Sequence, residues 1–184
     1  MQNPPKPADF NVARSLRNLT LCFLATILVS VTQPVLAKPA AAEKLTDAVA
    51  LADMKEAKVV FLLDFKDAAN TADYLQVIEQ THAGFKSQGV KPDIKIVIIG
   101  KTVEFLTTKP KPEFAKKDAK LMKLIASTTQ NLDKLGVRVE VRGLATEYFK
   151  VDNKSLMPGL KLTANGFVAL AGWQNQGYQL IPVF

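Results

Sequence analysis

The residues of this chain that could do chemistry are polar and charged side chains that follow its apolar segments. Three of them are cations, and a fixed lysine or arginine can hold a small oxyanion or an acidic metabolite through charge-assisted hydrogen bonds. The other interpretation is that all of them are ordinary polar loop residues, and the sequence leaves both open. The candidate ligand-binding residues are Asp64, Lys66, Asp67, Lys101, Thr102, Arg142 and Asn165.

Two of these candidates, Asp64 and Asp67, are carboxylates in one short stretch. Paired carboxylates can do acid–base chemistry or bind a divalent metal. Asp67 also stands directly before a helical segment, where a carboxylate accepts hydrogen bonds from free backbone amides, and we favour that capping role. We therefore predict no metal site and assign no catalytic residue. A small enzyme that uses Asp64, Asp67 and Arg142 is the alternative.

Several cofactor and thiol chemistries lack the residues that they need. Gly100-Lys101-Thr102 is similar to the end of a P-loop, but Lys95 occupies the place of the required first glycine. Glycine-rich dinucleotide fingerprints are also absent, so we predict no cofactor. The one histidine, His82, lies on an apolar helical stripe, and the one cysteine, Cys22, lies in the N-terminal apolar run. Zinc sites and Cys/His dyads that need those ligands are therefore excluded.

An apolar run at residues 19–31 has the length of a signal-peptide h-region. Arginines precede it, and Val35 and Ala37 fit the −3 and −1 positions of a cleavage site. We predict a signal peptide over residues 1–37, cleavage after Ala37 and a periplasmic mature protein. A retained membrane anchor is one alternative, although a spanning helix needs about 20 apolar residues. Lipid attachment to the cysteine is another.

The chain is basic, with a formal net charge of +7. Much of the excess lies in residues 109–123, where the basic residues are all lysines. Lysines without arginine are a poor nucleic-acid signature, so we predict no nucleic-acid binding. A solvated helix face is the favoured interpretation. Weak attraction to an anionic membrane surface or to an acidic partner is the alternative.

Apolar segments alternate with helical patterns along the chain after an Ala-rich leader. The leader, 38–57, contains a predicted short helix at 44–55, and the domain spans 58–184. Alternating strands and helices form right-handed βαβ units, which predicts an α/β fold: a three-layer sandwich around a mainly parallel five-stranded sheet. The carboxyl ends of parallel strands share one edge, where ligands bind. The predicted strands are 58–65, 94–99, 137–141, 160–164 and 178–183, and the predicted helices are 68–88, 102–108, 113–135 and 167–176.

Four segments carry a resemblance: KVVFLLDF, IKIVIIG, LDKLGVRVEVRG and the C-terminal PGLKLTANGFVALAGWQNQGYQLIPVF. They resemble the DsrE/DsrF-like family of sulfur-relay proteins, most closely its secreted branch, over roughly 58–184. The resemblance implies a flavodoxin-like architecture and a tendency to form dimers, trimers or hexamers. It also implies a sulfur-carrying cysteine directly after the third strand. Here that position holds Arg142, so the persulfide carrier is missing.

Together these observations lead us to expect a non-catalytic binding or assembly module that holds a small anion or sulfur oxyanion at the strand-end edge. The alternative is an accessory subunit of a sulfur-relay or sulfur-oxidation system whose protein partner supplies the thiol. We expect a homo-oligomer and no stable membrane insertion once the signal peptide is removed.

Overall fold

The structure, a computed structural model, describes residues 45–184. The predicted signal peptide, its cleavage site and residues 38–44 of the Ala-rich leader lie outside these residues. No helix within residues 45–184 is long and apolar enough to cross a membrane.

A parallel five-stranded sheet forms the centre of the described part of the chain, in the order β4-β3-β2-β1-β5. The predicted α/β fold is therefore confirmed. Strands β1 and β2 lie in the middle and are apolar on both faces, as strands covered by helices must be. Pro182 lies in the edge strand β5, where its missing amide breaks no ladder. The strands are β1 Glu56–Leu63, β2 Lys91–Ile98, β3 Arg138–Arg142, β4 Lys161–Thr163 and β5 Gln179–Val183.

Five α-helices connect the strands, with short 3-10 helices at Gly100–Phe105 and Asn153–Ser155. The stripe predicted on α1 is buried, including His82. Gly89 takes a positive φ of 79° directly after that helix and ends it, as predicted. The helices are α1 Ala68–Ser87, α2 Pro112–Lys117, α3 Ala119–Lys134, α4 Gly143–Tyr148 and α5 Gly166–Asn175.

The two faces of the sheet are covered unequally. Helices α1 and α3 pack over one face and enclose the main core, in which Leu75, Ile96 and Ile125 are fully buried. Helix α5 packs over the other face with a smaller cluster around Val97 and Leu170. The α5 face therefore keeps polar groups and exposed apolar side chains at its margins.

Two predicted helices differ from the structure. Residues 48–53 form turns rather than the helix expected at 44–55, and Leu45 and Val49 are almost fully exposed because no surface lies against them. The helix expected at 113–135 is two helices separated at Asp118, whose ψ of 20° is not helical.

The ends of two predicted helices are also wrong. The helix expected at 113–135 includes Leu135, but this residue lies past the end of α3 and is exposed. The short helix expected at 102–108 begins at Gly100 and ends at Phe105.

Candidate functional site

The strand register brings two of the candidate residues, Asp64 and Arg142, to one edge of the sheet. Leu63 of β1 lies beside Ile98 of β2, and Ile98 lies beside Val141 of β3. Residues that follow these strands therefore share the carboxyl edge, which is where open parallel sheets bind ligands. Asp64 and Arg142 lie there, together with the 3-10 helix that begins at Gly100.

Arg142 is the most unusual side chain at this edge. Its guanidinium carbon lies 4.8 Å from the centre of the Phe167 ring, a cation–π contact that fixes its orientation. Its Nε is buried and has no hydrogen-bond partner within residues 45–184. Nor does Arg142 form an ion pair with any carboxylate in that part of the chain. A buried donor without a partner is energetically unfavourable, and Arg142 therefore stays a candidate for binding an acceptor.

A cavity of about 300 Å³ lies beside this guanidinium, and we call it the Arg142 cavity. Arg142 is the charged group on its wall. The N-terminus of α5 approaches closely, because a Cβ added to Gly166 would lie 3.4 Å from the Cβ of Arg142 and 2.9 Å from Ile99 Cγ2. The lining residues are Gly100, Arg142, Leu144, Ala145, Tyr148 and Phe149.

Asp64 and Gly100 meet on the same edge. A Cβ added to Gly100 would lie 1.9 Å from Oδ1 of Asp64, and Gly100 has a positive φ of 57°. Both facts require glycine at this position, since a side chain would clash with the carboxylate and strain the backbone. The half-buried Asp64 therefore lies directly against the first turn after β2.

Three other candidates use their polar atoms within the fold. Asp67 caps α1, where its carboxylate accepts from Asn70 N at 2.8 Å and Asn70 Nδ2 at 2.9 Å, so the predicted capping role is confirmed. Asn165 caps α5 in the same way, accepting from Phe167 N at 3.1 Å. These contacts position helices, and the ligand roles predicted for both residues stay predictions that the geometry does not favour.

Thr102 is fully buried and bonds the backbone of Phe65, donating to its carbonyl oxygen at 3.1 Å and accepting from its amide. It fastens the end of β1 to the 3-10 helix rather than facing a ligand. Lys101 is half-buried, with Nζ 5.8 Å from the Phe114 ring centre, and Lys66 is exposed on the loop. Of the seven candidates, Asp64 and Arg142 are those most closely held at the strand-end edge.

A second polar cluster, on the α5 face at the amino ends of the strands, was missed by the sequence analysis. Glu140 is 4% exposed, accepts from Arg138 Nε at 2.6 Å and accepts from Trp173 Nε1 at 3.1 Å. Alternation along β3 could have placed Glu140 on the α5 face. It could not have shown that Trp173 lies over that position.

Asp93 is the other carboxylate of this cluster, bonded by Lys95 Nζ at 2.7 Å and by the Tyr178 hydroxyl at 2.7 Å. Burial alone would raise the pKa of Asp93, but the hydrogen bonds from Lys95 and Tyr178 outweigh it and lower that pKa below its usual range. For Lys95, burial works against the charge, yet Asp93 raises its pKa above the usual range. The pair is therefore charged across the physiological pH range.

His82, the sole histidine, is 6% exposed on α1, where the apolar stripe predicted it. Burial lowers its pKa, and the nearby Lys86 charge lowers it further, so a neutral imidazole is favoured. Within residues 45–184, no cluster of three or more histidine, cysteine, aspartate or glutamate side chains is arranged to hold a metal ion.

Comparison with known proteins identifies the family of this chain. The model of the DsrE/DsrF-like family matches residues 27–183. The chain belongs to the DsrE/DsrF-like family. No curated protein sequence matched the chain.

Two solved structures of similar fold support this assignment at the level of architecture. A Methanobacterium thermoautotrophicum protein of unknown function, MTH1491, aligns with a TM-score of 0.54 and 17% identity, covering 70% of this chain and 99% of its own. The ychN protein from E. coli aligns with a TM-score of 0.50 and 14% identity, covering 69% of this chain and 99% of its own. At such identities the likeness concerns the fold alone.

Proposed function

We propose that this DsrE/DsrF-like protein is a non-catalytic binding and assembly module of the periplasm that holds a small anion in the Arg142 cavity. The observation that carries the proposal is the buried Arg142 Nε, which has no acceptor within residues 45–184. A guanidinium offers several donors in a fixed plane and binds oxyanions through parallel hydrogen bonds. The cavity, at about 300 Å³, is at the lower end of the range for small-molecule sites, so a small anion fits it best.

The absence of a thiol supports binding rather than sulfur transfer. The only cysteine of the chain is Cys22, within the predicted signal peptide, and Arg142, the last residue of β3, stands where the proteins that the chain resembles carry the sulfur-bearing cysteine. A sulfur oxyanion would suit a guanidinium at that position. An accessory role, in which a sulfur-metabolism protein partner presents the thiol to the cavity, fits the same geometry.

Calorimetric titration of the purified full chain with sulfite, thiosulfate and simple dicarboxylates tests the anion site. We expect at least one of them to bind, and Arg142→Ala to weaken binding roughly ten- to hundredfold, because a charge-assisted hydrogen bond contributes about 1.5–3 kcal/mol. Arg142→Lys keeps the positive charge but loses the planar guanidinium with its parallel donors, and it should bind the anion with intermediate affinity. Lys134→Ala, an exposed charge at the end of α3, is the control. Equal binding by wild type and Arg142→Ala would reject the site.

The assembly part of the proposal rests on an apolar patch around the cavity. Its members are at least 48% exposed, and four of them lie around the cavity: two line it, one stacks on Arg142, and Leu162 lies near Gly143. Exposed apolar patches of this kind mark interaction surfaces. We propose that a second copy of the chain covers the patch, because α5 carries no charge that would repel another basic chain. The patch consists of Leu144, Tyr148, Leu162, Phe167 and Val168.

Native mass spectrometry of the full chain at micromolar concentration tests the assembly. We expect a dimer or a higher homo-oligomer, and a monomer for the double variant Leu162→Asp with Val168→Asp, which places charges in the patch at residues that do not line the Arg142 cavity. A monomeric wild type would reject the assembly role while leaving the anion site to be judged by calorimetry.

The periplasmic location has its own test. N-terminal sequencing of the exported protein should begin Lys-Pro-Ala, after cleavage at Ala37. An intact 20.1 kDa chain in the membrane fraction would contradict this expectation.

A further inference from the structure

A groove of about 520 Å³ lies between α3 and two loops, and it shares no lining residue with the Arg142 cavity. Ala115, Ala119 and Ala126 form its helical side, and Pro110 and Pro158 lie on its loop side. The small alanine side chains leave space that larger residues would fill. Its volume lies well within the roughly 300–1,000 Å³ of small-molecule sites. We call this feature the α3 groove.

Two methionines line the α3 groove and belong to the main core. Met122 is 7% exposed and Met157 is 4% exposed. Unbranched, polarizable thioether side chains adapt to apolar ligands of different shapes. This part of the groove is therefore apolar and able to adjust.

The loop side is held in place by hydrogen bonds before any ligand arrives. Thr108 N donates to Ser155 O at 2.7 Å, and Met157 N donates to Leu106 O at 2.9 Å. The buried Thr107 hydroxyl bonds Ser155, so this lining polar atom is satisfied within the protein. The groove therefore offers a ligand a preformed and mainly apolar surface, which reduces the entropy lost on binding.

The chain around the α3 groove is rich in lysine. Residues 109–123 contain six lysines and two carboxylates, Glu113 and Asp118. Lys123 lines the groove, and Lys109 stands between two lining residues. Lys111 already pairs with the buried Glu104, whereas the other lysines of this stretch are exposed and form no ion pair within residues 45–184.

Away from Lys123, the residues that line the groove are uncharged. Gln130 and Pro158 line it, and a Cβ added to the neighbouring Gly159 would lie 3.0 Å from Asp133 Cβ. An anionic group in the groove is therefore attracted to Lys123, the one charged residue of its lining. A bound molecule would place its charge at Lys123 and its apolar part along the methionines.

We propose that the α3 groove binds a free amphiphilic anion, a small molecule with an apolar tail and one anionic head group. The head lies at Lys123 and Lys109, and the tail lies along Met122 and Met157. This ligand differs from the compact anion proposed for the Arg142 cavity, and neither site needs the other.

Methionine-methyl NMR of the full chain shows where such a molecule binds. The probes are 1-anilinonaphthalene-8-sulfonate and dodecanoate, the latter below its micelle concentration. We expect the methyl signals of Met122 and Met157 to shift in a saturable manner with one stoichiometric probe, while that of Met54, which lies outside the groove, stays unchanged. No shift of the two groove signals, or equal shifts of all three, would overturn the proposal.

Matched variants then separate the tail and head contacts. Ala119→Trp fills the groove and should weaken binding at least tenfold, whereas Ala83→Trp, on an exposed site of α1, should leave it unchanged. Lys123→Gln should weaken binding roughly two- to fivefold, the range for a solvent-exposed ion pair, and Lys134→Gln should not. If Lys123→Gln and Ala119→Trp both bind the probes as the wild type does, the groove is not the site.

A final comparison distinguishes the free amphiphile from a membrane and from the other cavity. Co-sedimentation with vesicles containing anionic phospholipid, without any methyl shift on adding the free probes, would reject the proposal in favour of a membrane surface. Arg142→Ala should leave probe binding to the α3 groove unchanged. The anion titrations therefore test the Arg142 cavity, and the probe titrations test the α3 groove, independently of each other.

Discussion

Gly100 is the position where a single methyl group should do the most damage at the candidate site. Replacing it by alanine puts a Cβ 1.9 Å from Oδ1 of Asp64 at a φ of 57°. A non-glycine residue in the left-handed region costs about 1–2 kcal/mol. Moving the half-buried Asp64 away adds a similar amount, so we expect a loss of about 2–4 kcal/mol of unfolding free energy. At about 4 °C per kcal/mol for a domain of this size, Tm should fall by about 8–16 °C.

Two comparisons isolate the clash from the strain. Gly136 has a positive φ of 80° but nothing within 4 Å of an added Cβ, so Gly136→Ala carries only the backbone strain, about 1–2 kcal/mol. The double variant Asp64→Ala with Gly100→Ala removes the clash. Its loss of stability should therefore be smaller than the sum of the losses measured for Asp64→Ala and Gly100→Ala alone. Urea unfolding of the wild type, the double variant and the three single variants Gly100→Ala, Gly136→Ala and Asp64→Ala provides the free energies. If Gly100→Ala loses no more stability than Gly136→Ala, the contact between Asp64 and Gly100 is not as described.

Two further predictions concern the polar cluster on the α5 face. Trp173→Phe leaves Oε2 of the buried Glu140 without its donor and should lower the free energy of unfolding in urea by about 1–3 kcal/mol. Combining Trp173→Phe with Glu140→Gln should recover part of that loss. Equal stability of the wild type and Trp173→Phe would contradict the hydrogen bond. Because the folded-state pKa of Asp93 is lowered, its stabilisation is present above the unfolded carboxyl pKa and is lost as pH falls through the lowered value. Tyr178→Phe should therefore lose more stability at pH 7 than at pH 2. An equal loss at both pH values would contradict a lowered pKa of Asp93.

Much of the fold could be predicted because its signals are local. The apolar residues on both faces of β1 and β2 predicted central parallel strands, and the stripe on α1 predicted the buried side of that helix. The failures have tertiary causes. The Ala-rich segment has a helical pattern but no surface to bury Leu45 and Val49 against, and propensity without packing rarely holds a short helix in water.

The candidate site was predictable only in part. The strand-end rule placed Asp64 and Arg142 at the same edge, since it follows from strand direction alone. It could not show that the Thr102 hydroxyl and the Asn165 side chain bond the backbone, because those contacts depend on which amides lie nearby after folding. The stacking of Arg142 on Phe167 joins residues far apart in sequence, so no local pattern signals it.

Nitrogen-detected NMR of the arginine side chains tests the central claim most directly, because it observes the Nε–H group of Arg142 itself. Sulfite and thiosulfate are titrated into the full chain, and the Nε–H signal of Arg138, which already donates to Glu140, serves as the internal control. We expect the Arg142 signal to shift with a saturable dependence on the anion that binds in calorimetry, while the Arg138 signal stays in place. An Arg142 signal that does not move while calorimetry reports binding would show that the anion binds elsewhere and would contradict this account.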